Sequence, residues 1–130
     1  MCEPDSGHRG NVRAIAFTDL DAGPVAVTAG DDRLVCVWSL SIGKRVRAAL
    51  TGHTAPVRAA ATLRGVARPV VATGGEDGTV RLWDLDRERQ LARLDLPDAV
   101  TSLAPTSDGR LVVGFGQDLA VIAPHIDWDR

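Results

Sequence analysis

Short apolar or alternating runs of four to seven residues, bounded by turn formers, fill most of this 130-residue chain. VRAIAF (12–17), VAVTAG (25–30), LVCVW (34–38) and KRVRAAL (44–50) come first; VRAAATL (57–63), VVATGG (70–75), TVRLW (79–83) and QLARLDL (90–96) follow. Runs of this length and alternation predict β-strands with one or both faces buried. Gly23-Pro24, Ser41 to Lys44, Asp77-Gly78 and Asp86 to Arg89 supply the turns between them. Asp77-Gly78 reads as a type I′ hairpin, which needs two residues tolerant of positive φ. The pattern is all-β, with four strands in each antiparallel meander.

The meander is repeated. His8, Thr28, Asp32 and Trp38 recur as His53, Thr73, Asp77 and Trp83, each 45 positions later. Four side-chain types holding three spacings across a whole unit mark a true duplication, the signature of a repeat architecture. A third, degenerate copy follows when Val100 is matched to Val57 and the first hairpin, at Ser107-Asp108-Gly109, is shortened by two residues. Leu96 then takes the His place, Gly114 the Thr place, Asp118 the Asp place and Pro124 the Trp place, so only the aspartate survives. Beyond Pro124, Ile126 and Trp128 alternate as a short edge would.

His, Thr and Asp in one unit suggest a nucleophile, a base and an orienting group. The tryptophan argues for another role. Indole N–H only donates, a threonine hydroxyl accepts and donates onward, neutral histidine does both, and aspartate only accepts. Trp to Thr to His to Asp is therefore a closed chain in which each group is satisfied, and such a network rigidifies a sheet. A hydrolase needs an exposed oxygen, an oxyanion hole and one site, not the same polar set twice. No catalytic residue is assigned.

Composition narrows the partner class. Seventeen acidic and fifteen basic residues are well mixed and give a net charge of −2, so no basic stripe points to nucleic acid or anionic lipid. The polar opening MCEPDSGHRG lacks a signal core, and no segment approaches the roughly 18 apolar residues of a membrane span. A cytoplasmic protein is expected. Cys36 lies inside an apolar strand, and with Cys2 as the only other cysteine it reads as a small buried hydrophobe rather than half of a disulfide. His8, His53 and His125 are isolated, no Cys-x-x-Cys or calcium-loop spacing occurs, and Asp127 and Asp129 beside His125 read as a solvated tail. Gly74-Gly75 has no following Gly-Lys-Ser/Thr, so phosphate binding is not expected. No metal and no cofactor are assigned.

Gly7-His8 and Gly52-His53 opening the units, Trp83-Asp84 closing a strand about thirty residues later, and a period near 45 resemble the WD-repeat β-propeller family. The resemblance is strong over residues 7–95 and weak over 96–130, and the first copy departs from it with Trp38-Ser39 in place of Trp-Asp. It implies one domain, 1–130, with blades at 7–51, 52–95 and 96–130, the last incomplete. It also implies that the two His-Thr-Asp-Trp sets are structural tetrads, and that the protein is a non-catalytic scaffold for protein–protein interaction. The alternative is a regulatory or sensor module of a larger enzyme or signalling protein whose catalytic part lies elsewhere.

In that family, loops entering the first strand and loops joining the second and third open on one rim. The resemblance places there Arg9, Asn11 and Asp31, then Thr54, Pro56 and Glu76, then Pro97, Ala99 and Gln117. The acidic Asp31 and Glu76 suggest a basic or polar ligand segment. On the opposite rim Arg64, Arg68, Arg87 and Arg89 interleave with Asp86 and Glu88, which screens them.

Closed propellers carry four to eight blades, and this chain supplies about three. An open arc leaves one apolar face of the first sheet and one of the last without a neighbour. If each exposes on the order of 500 Å², the unrealised burial is roughly 12 kcal/mol per face. Three arrangements relieve it: two chains closing a six-bladed ring, completion of another protein's propeller, or further blades upstream in a longer gene product, which the polar residues before His8 fit best.

Overall fold

A computed structural model describes residues 9–44, 49–64, 66 and 68–124. The described residues contain ten strands and no helix, so none long and apolar enough to cross a membrane. Strands β1 (Val12–Leu20), β2 (Gly23–Gly30) and β3 (Val35–Ser39) form the first antiparallel sheet in that order. Strands β4 (Val57–Thr62), β5 (Val70–Gly75), β6 (Thr79–Asp84) and β7 (Arg89–Asp95) form the second, and β8 (Val100–Pro105), β9 (Leu111–Phe115) and β10 (Asp118–Ile122) the third.

The second sheet is the complete four-stranded meander. In the first unit the expected fourth strand, 44–50, falls partly outside the described residues, but its end is in place: Leu50 bridges Val35 through two backbone hydrogen bonds of 2.8 and 3.1 Å. The edge expected at Ile126 and Trp128 also lies outside the described residues.

Directly paired residues share a face, and this sorts each sheet into two sides. On the side following in chain order, Val25, Val27, Ala29, Val35 and Val37 of the first sheet pack with Val57, Val71, Trp83 and Leu85 of the second in one core cluster. On the other side of the second sheet, Ala61, Val70, Ala72, Val80 and Leu82 pack with Val100, Leu111 and Val113 of the third. Strands β1, β4 and β8 lie in a row, joined between the first two sheets by Thr62 Oγ1 donating to the Phe17 carbonyl at 2.6 Å. The result is an unclosed arc of sheets stacked face to face.

Two turns differ from expectation. The first hairpin turns at Asp21-Ala22, since Leu20 pairs with Gly23, and Gly23-Pro24 open β2 instead. Proline tolerates that place because it is the start of a strand, and its carbonyl still accepts the Leu40 N–H at 3.0 Å. At Asp77-Gly78 the loop is three residues, Glu76 to Gly78, and only Gly78 has positive φ, at 77°. This is a type I turn closed by Gly78 N–H on the Gly75 carbonyl, not a type I′ pair. The matching place in the first unit is held by Arg33, at φ 70°.

The third unit needs a correction. Pro105 pairs with Leu111 where Thr62 pairs with Val71, so its first hairpin is three residues shorter, not two. Val113, opposite Leu103, therefore stands where Thr73 stands opposite Ala60, and Gly114 matches Gly74. Ile122, opposite Leu111, takes the place of Trp83 opposite Val71, so Pro124 does not. The next loop has two residues in place of three, which moves Asp118 to the head of β10, opposite Phe115. There its carboxylate accepts only the Leu119 N–H, at 2.9 Å, on the surface.

Candidate functional site: an internal polar strut and a rim

Strands β5 and β6 bring Thr73 and Trp83 onto one face, and the segment entering β4 lays His53 beside them. Trp83 Nε1–H donates to Thr73 Oγ1 at 2.7 Å, and Thr73 Oγ1 lies 2.7 Å from His53 Nε2. His53 Nδ1 lies 3.0 Å from Asp77 Oδ2. A carboxylate only accepts, so Nδ1 carries the hydrogen, Nε2 accepts, and the Thr73 hydroxyl donates to it. The chain expected from donor and acceptor types is thus formed in the second unit. Thr73 is fully buried with both its roles taken, so it presents no oxygen to solvent.

Asp77 anchors this chain to the rim. Its Oδ2 also accepts the Thr54 N–H at 3.0 Å, and its Oδ1 accepts the Thr79 N–H at 3.1 Å and the Thr79 hydroxyl at 2.8 Å. Burial pushes the carboxyl pKa up, but these hydrogen bonds and the neighbouring His53 outweigh it and hold it at about 2. Burial lowers the pKa of His53 more than the Asp77 charge raises it, which keeps the imidazole neutral.

The network runs further than its spacing announced. Arg81, buried on the face of β6, donates from Nε to Thr79 Oγ1 at 3.2 Å and from Nη1 to Gln90 Oε1 at 2.9 Å. A lone arginine in the otherwise apolar run TVRLW was its sequence signal. Asp84 stands apart from the strut, and its Oδ1 accepts the N–H groups of Asp86 and Arg87 at 3.0 and 3.2 Å, which caps the turn into β7.

In the first unit Trp38 Nε1–H donates to Thr28 Oγ1, again at 2.7 Å. Asp32 accepts from Arg9 N–H at 3.1 Å and Leu34 N–H at 3.2 Å, as Asp77 does from Thr54 and Thr79. His8 lies outside the described residues. Ser39, the departure from Trp-Asp, performs the cap of Asp84: its Oγ accepts the N–H groups of Ser41 and Ile42 at 3.2 and 3.3 Å. Cys36 is fully buried as expected, but it is disulfide-bonded, which overturns its reading as an unpaired thiol. Burial in a strand does not distinguish the two states.

The rim is built the same way three times. Asp31 N–H donates to the Asn11 carbonyl at 3.0 Å, Glu76 N–H to the Pro56 carbonyl at 2.9 Å, and Gly116 N–H to the Ala99 carbonyl at 3.2 Å. Gly116 thus takes the place expected for Gln117, which sits beside it in the two-residue turn. Arg9, Thr54 and Pro97 stand exposed near the same ends of their units. The acidic positions are not free to select a basic ligand: Asp31 pairs with Arg13 at 2.9 Å and Glu76 with Arg58 at 3.2 Å. The hydrogen bond from Arg13 holds the Asp31 carboxyl below the usual range. On the opposite rim, Arg68, Arg87 and Arg89 are all engaged, Arg87 lying 4.0 Å from Asp84 Oδ2. Among the described residues no group of three or more His, Cys, Asp or Glu side chains converges as metal ligands would.

Stacked antiparallel meanders, a Trp-Asp turn cap and a His-Thr-Asp-Trp strut define a β-propeller segment. The profile of the WD domain, G-beta repeat family matches residues 4–39 and 43–84, and the chain belongs to that family. No curated protein matches the chain. Among solved structures it is similar to one described as "Structure of U3-55K", at 22% identity and a TM-score of 0.78, over 91% of this chain and 36% of that one. It is also similar to "Crystal structure of RRP9 WD40 repeats", at 23% identity and a TM-score of 0.76, over 88% of this chain and 34% of that one. The chain thus spans about a third of the length of these two structures. The family is generally a non-catalytic interaction domain.

Proposed function

We propose that this chain is a non-catalytic scaffold that presents the rim of its propeller units to a protein partner. The repeated rim turn carries the reading. Three units hold the same backbone hydrogen bond, from Asp31 to Asn11, Glu76 to Pro56 and Gly116 to Ala99, while the side chains around it differ. A fixed frame with variable side chains is what a recognition surface requires. The strut beneath it supports a structural role for the polar set, because its one alcohol is buried and doubly engaged. Pairing of Asp31 and Glu76 with arginines favours a partner read by shape and hydrogen bonding over one read by charge.

The proposed compartment is the cytoplasm. It rests on the polar opening of the chain, and the disulfide at Cys36 counts against it, since cytosolic reductants keep most thiols reduced. Alkylation of Cys36 in cells lysed directly into denaturant tests the placement: a labelled thiol supports the cytoplasm, and a protected one rejects it. The partner reading is tested by capture with a rim variant, Asn11→Ala, Thr54→Ala and Gln117→Ala together, beside an opposite-rim variant, Arg64→Ala. Loss of a partner with the first and not the second is expected. Equal capture by both would reject the rim.

A further inference from the structure

The two internal junctions of the arc repeat one fit. At each, the valine that begins the incoming first strand is fully buried, Val57 at the first junction and Val100 at the second. Each meets a small residue on the second strand of the sheet before it. Val100 occupies the space over Gly74, where an added Cβ would collide with its side chain. Val57 shares its core cluster with Ala29, the residue matching Gly74 in the first unit.

Both halves of this fit are also present, unmatched, at the two ends of the arc. Val12 begins β1 as Val57 and Val100 begin their strands, and it is 47% exposed. Ile15 and Phe17 continue its face and are exposed at 55% and 65%, Asp19 follows them at the hairpin end, Thr28 and Trp38 stand half-buried beside them, and the disulfide-bonded Cys36 on the same face is fully buried. At the other end Gly114 matches Gly74 and Ala29. Its face carries Ser102, Ala104, Val112, Leu119 and Val121, the last two exposed at 63% and 54%. This repeats the small, apolar surface that Ala59, Ala61, Ala72, Val80 and Leu82 offer at the second junction. Of the residues named on the two end faces only Asp19, at the hairpin end of β1, is charged.

We propose that the two end faces are the halves of one junction, and that a second copy of this chain joins them head to tail into a two-fold ring of six sheets. The inference rests on the propeller reading and deepens its partner to a second copy. Each copy holds what the other lacks, so one two-fold axis covers all four exposed faces at once. Two junctions of about 1,000 Å² each reach the range of stable, specific interfaces. Six sheets fall within the propeller range of four to eight.

Light scattering on the purified chain at micromolar concentration tests this. The expected mass is twice the 13.8 kDa of one chain. Val12→Asp and Leu119→Asp alter exposed side chains at opposite ends, and each is expected to give a single-chain mass with the far-ultraviolet β-sheet signal retained. If Leu119→Asp loses that signal, Val121→Lys serves in its place. Mixing the two aspartate variants leaves one junction of the mixed pair unaltered, so a two-chain species is expected to return. A single-chain mass for the unaltered protein overturns the proposal. So does a two-chain mass that Leu119→Asp leaves unchanged, or a ladder of larger species. The rim variant leaves the mass unaffected, so failure of the rim reading and failure of the ring are separately visible.

Discussion

The second and third units share strand order, register and core position, yet solve the same interior in opposite ways. In the second, Trp83 and Thr73 meet through a 2.7 Å hydrogen bond, and His53 and Asp77 carry the polarity outward to the rim. In the third the same places hold Ile122 and Val113, with Leu96 where His53 would be, all within one apolar cluster. Asp118 no longer has a partner to anchor and sits on the surface. A buried polar network is stable when every member is satisfied, and so is its complete apolar replacement. The two units show both solutions in one chain, and intermediate sets are the costly ones.

Making such intermediates tests the contrast. Thr73→Val removes the hydroxyl that serves two buried groups, leaving the Trp83 N–H and His53 Nε2 unpaired, and is expected to cost about 2–3 kcal/mol in urea denaturation. The converse change, Val113→Thr, buries a hydroxyl among Leu96, Leu111 and Ile122 with no partner, and is expected to cost about 1–2 kcal/mol. It imports one member of the strut without the others.

Acid acts on the strut of the second unit through two groups. The folded-state pKa of His53 lies below its ordinary value, so the unfolded chain binds the proton more readily. Stability from this group is complete above about pH 6.5 and falls as the pH drops through the unfolded value toward the folded one. Asp77, at about 2, adds a second loss in the same direction as the pH falls from about 4 toward 2. His53→Gln is expected to flatten the first step of a stability–pH profile and leave acid sensitivity below pH 4. A smaller effect separates the first unit from the second. Arg33 holds at φ 70° the turn position that Gly78 holds at 77°, so Arg33→Gly is expected to stabilise by roughly 0.5 kcal/mol.

The strands, the second tetrad and the Thr28, Asp32 and Trp38 places of the first were legible because they rest on spacing. A fixed interval of 45 carries Thr, Asp and Trp to equivalent places, and donor and acceptor chemistry orders them without coordinates. The third unit resisted because the polar anchors that set the alignment are gone. Matching it on Asp118 put Gly114 and Pro124 where strand pairing puts Val113 and Ile122, since a shortened loop moves an aspartate without moving the sheet. Ser39 as a cap was hidden for a different reason: serine and aspartate differ in the sequence but accept the same two N–H groups. The pairing of Asp31 with Arg13 and of Glu76 with Arg58 depends on a strand bulge, which apolar patterning does not register.

The shared hydroxyl of Thr73 is the centre of the structural reading, and a double-mutant cycle measures it. Thr73→Val, Trp83→Phe and the pair are compared with the parent in urea. Once the hydroxyl is gone, removing the indole N–H also removes an unpaired donor, so the two losses are expected to fall short of additive by about 1–2 kcal/mol. Additivity to within about 0.3 kcal/mol would contradict the strut and reopen Thr73 to another role.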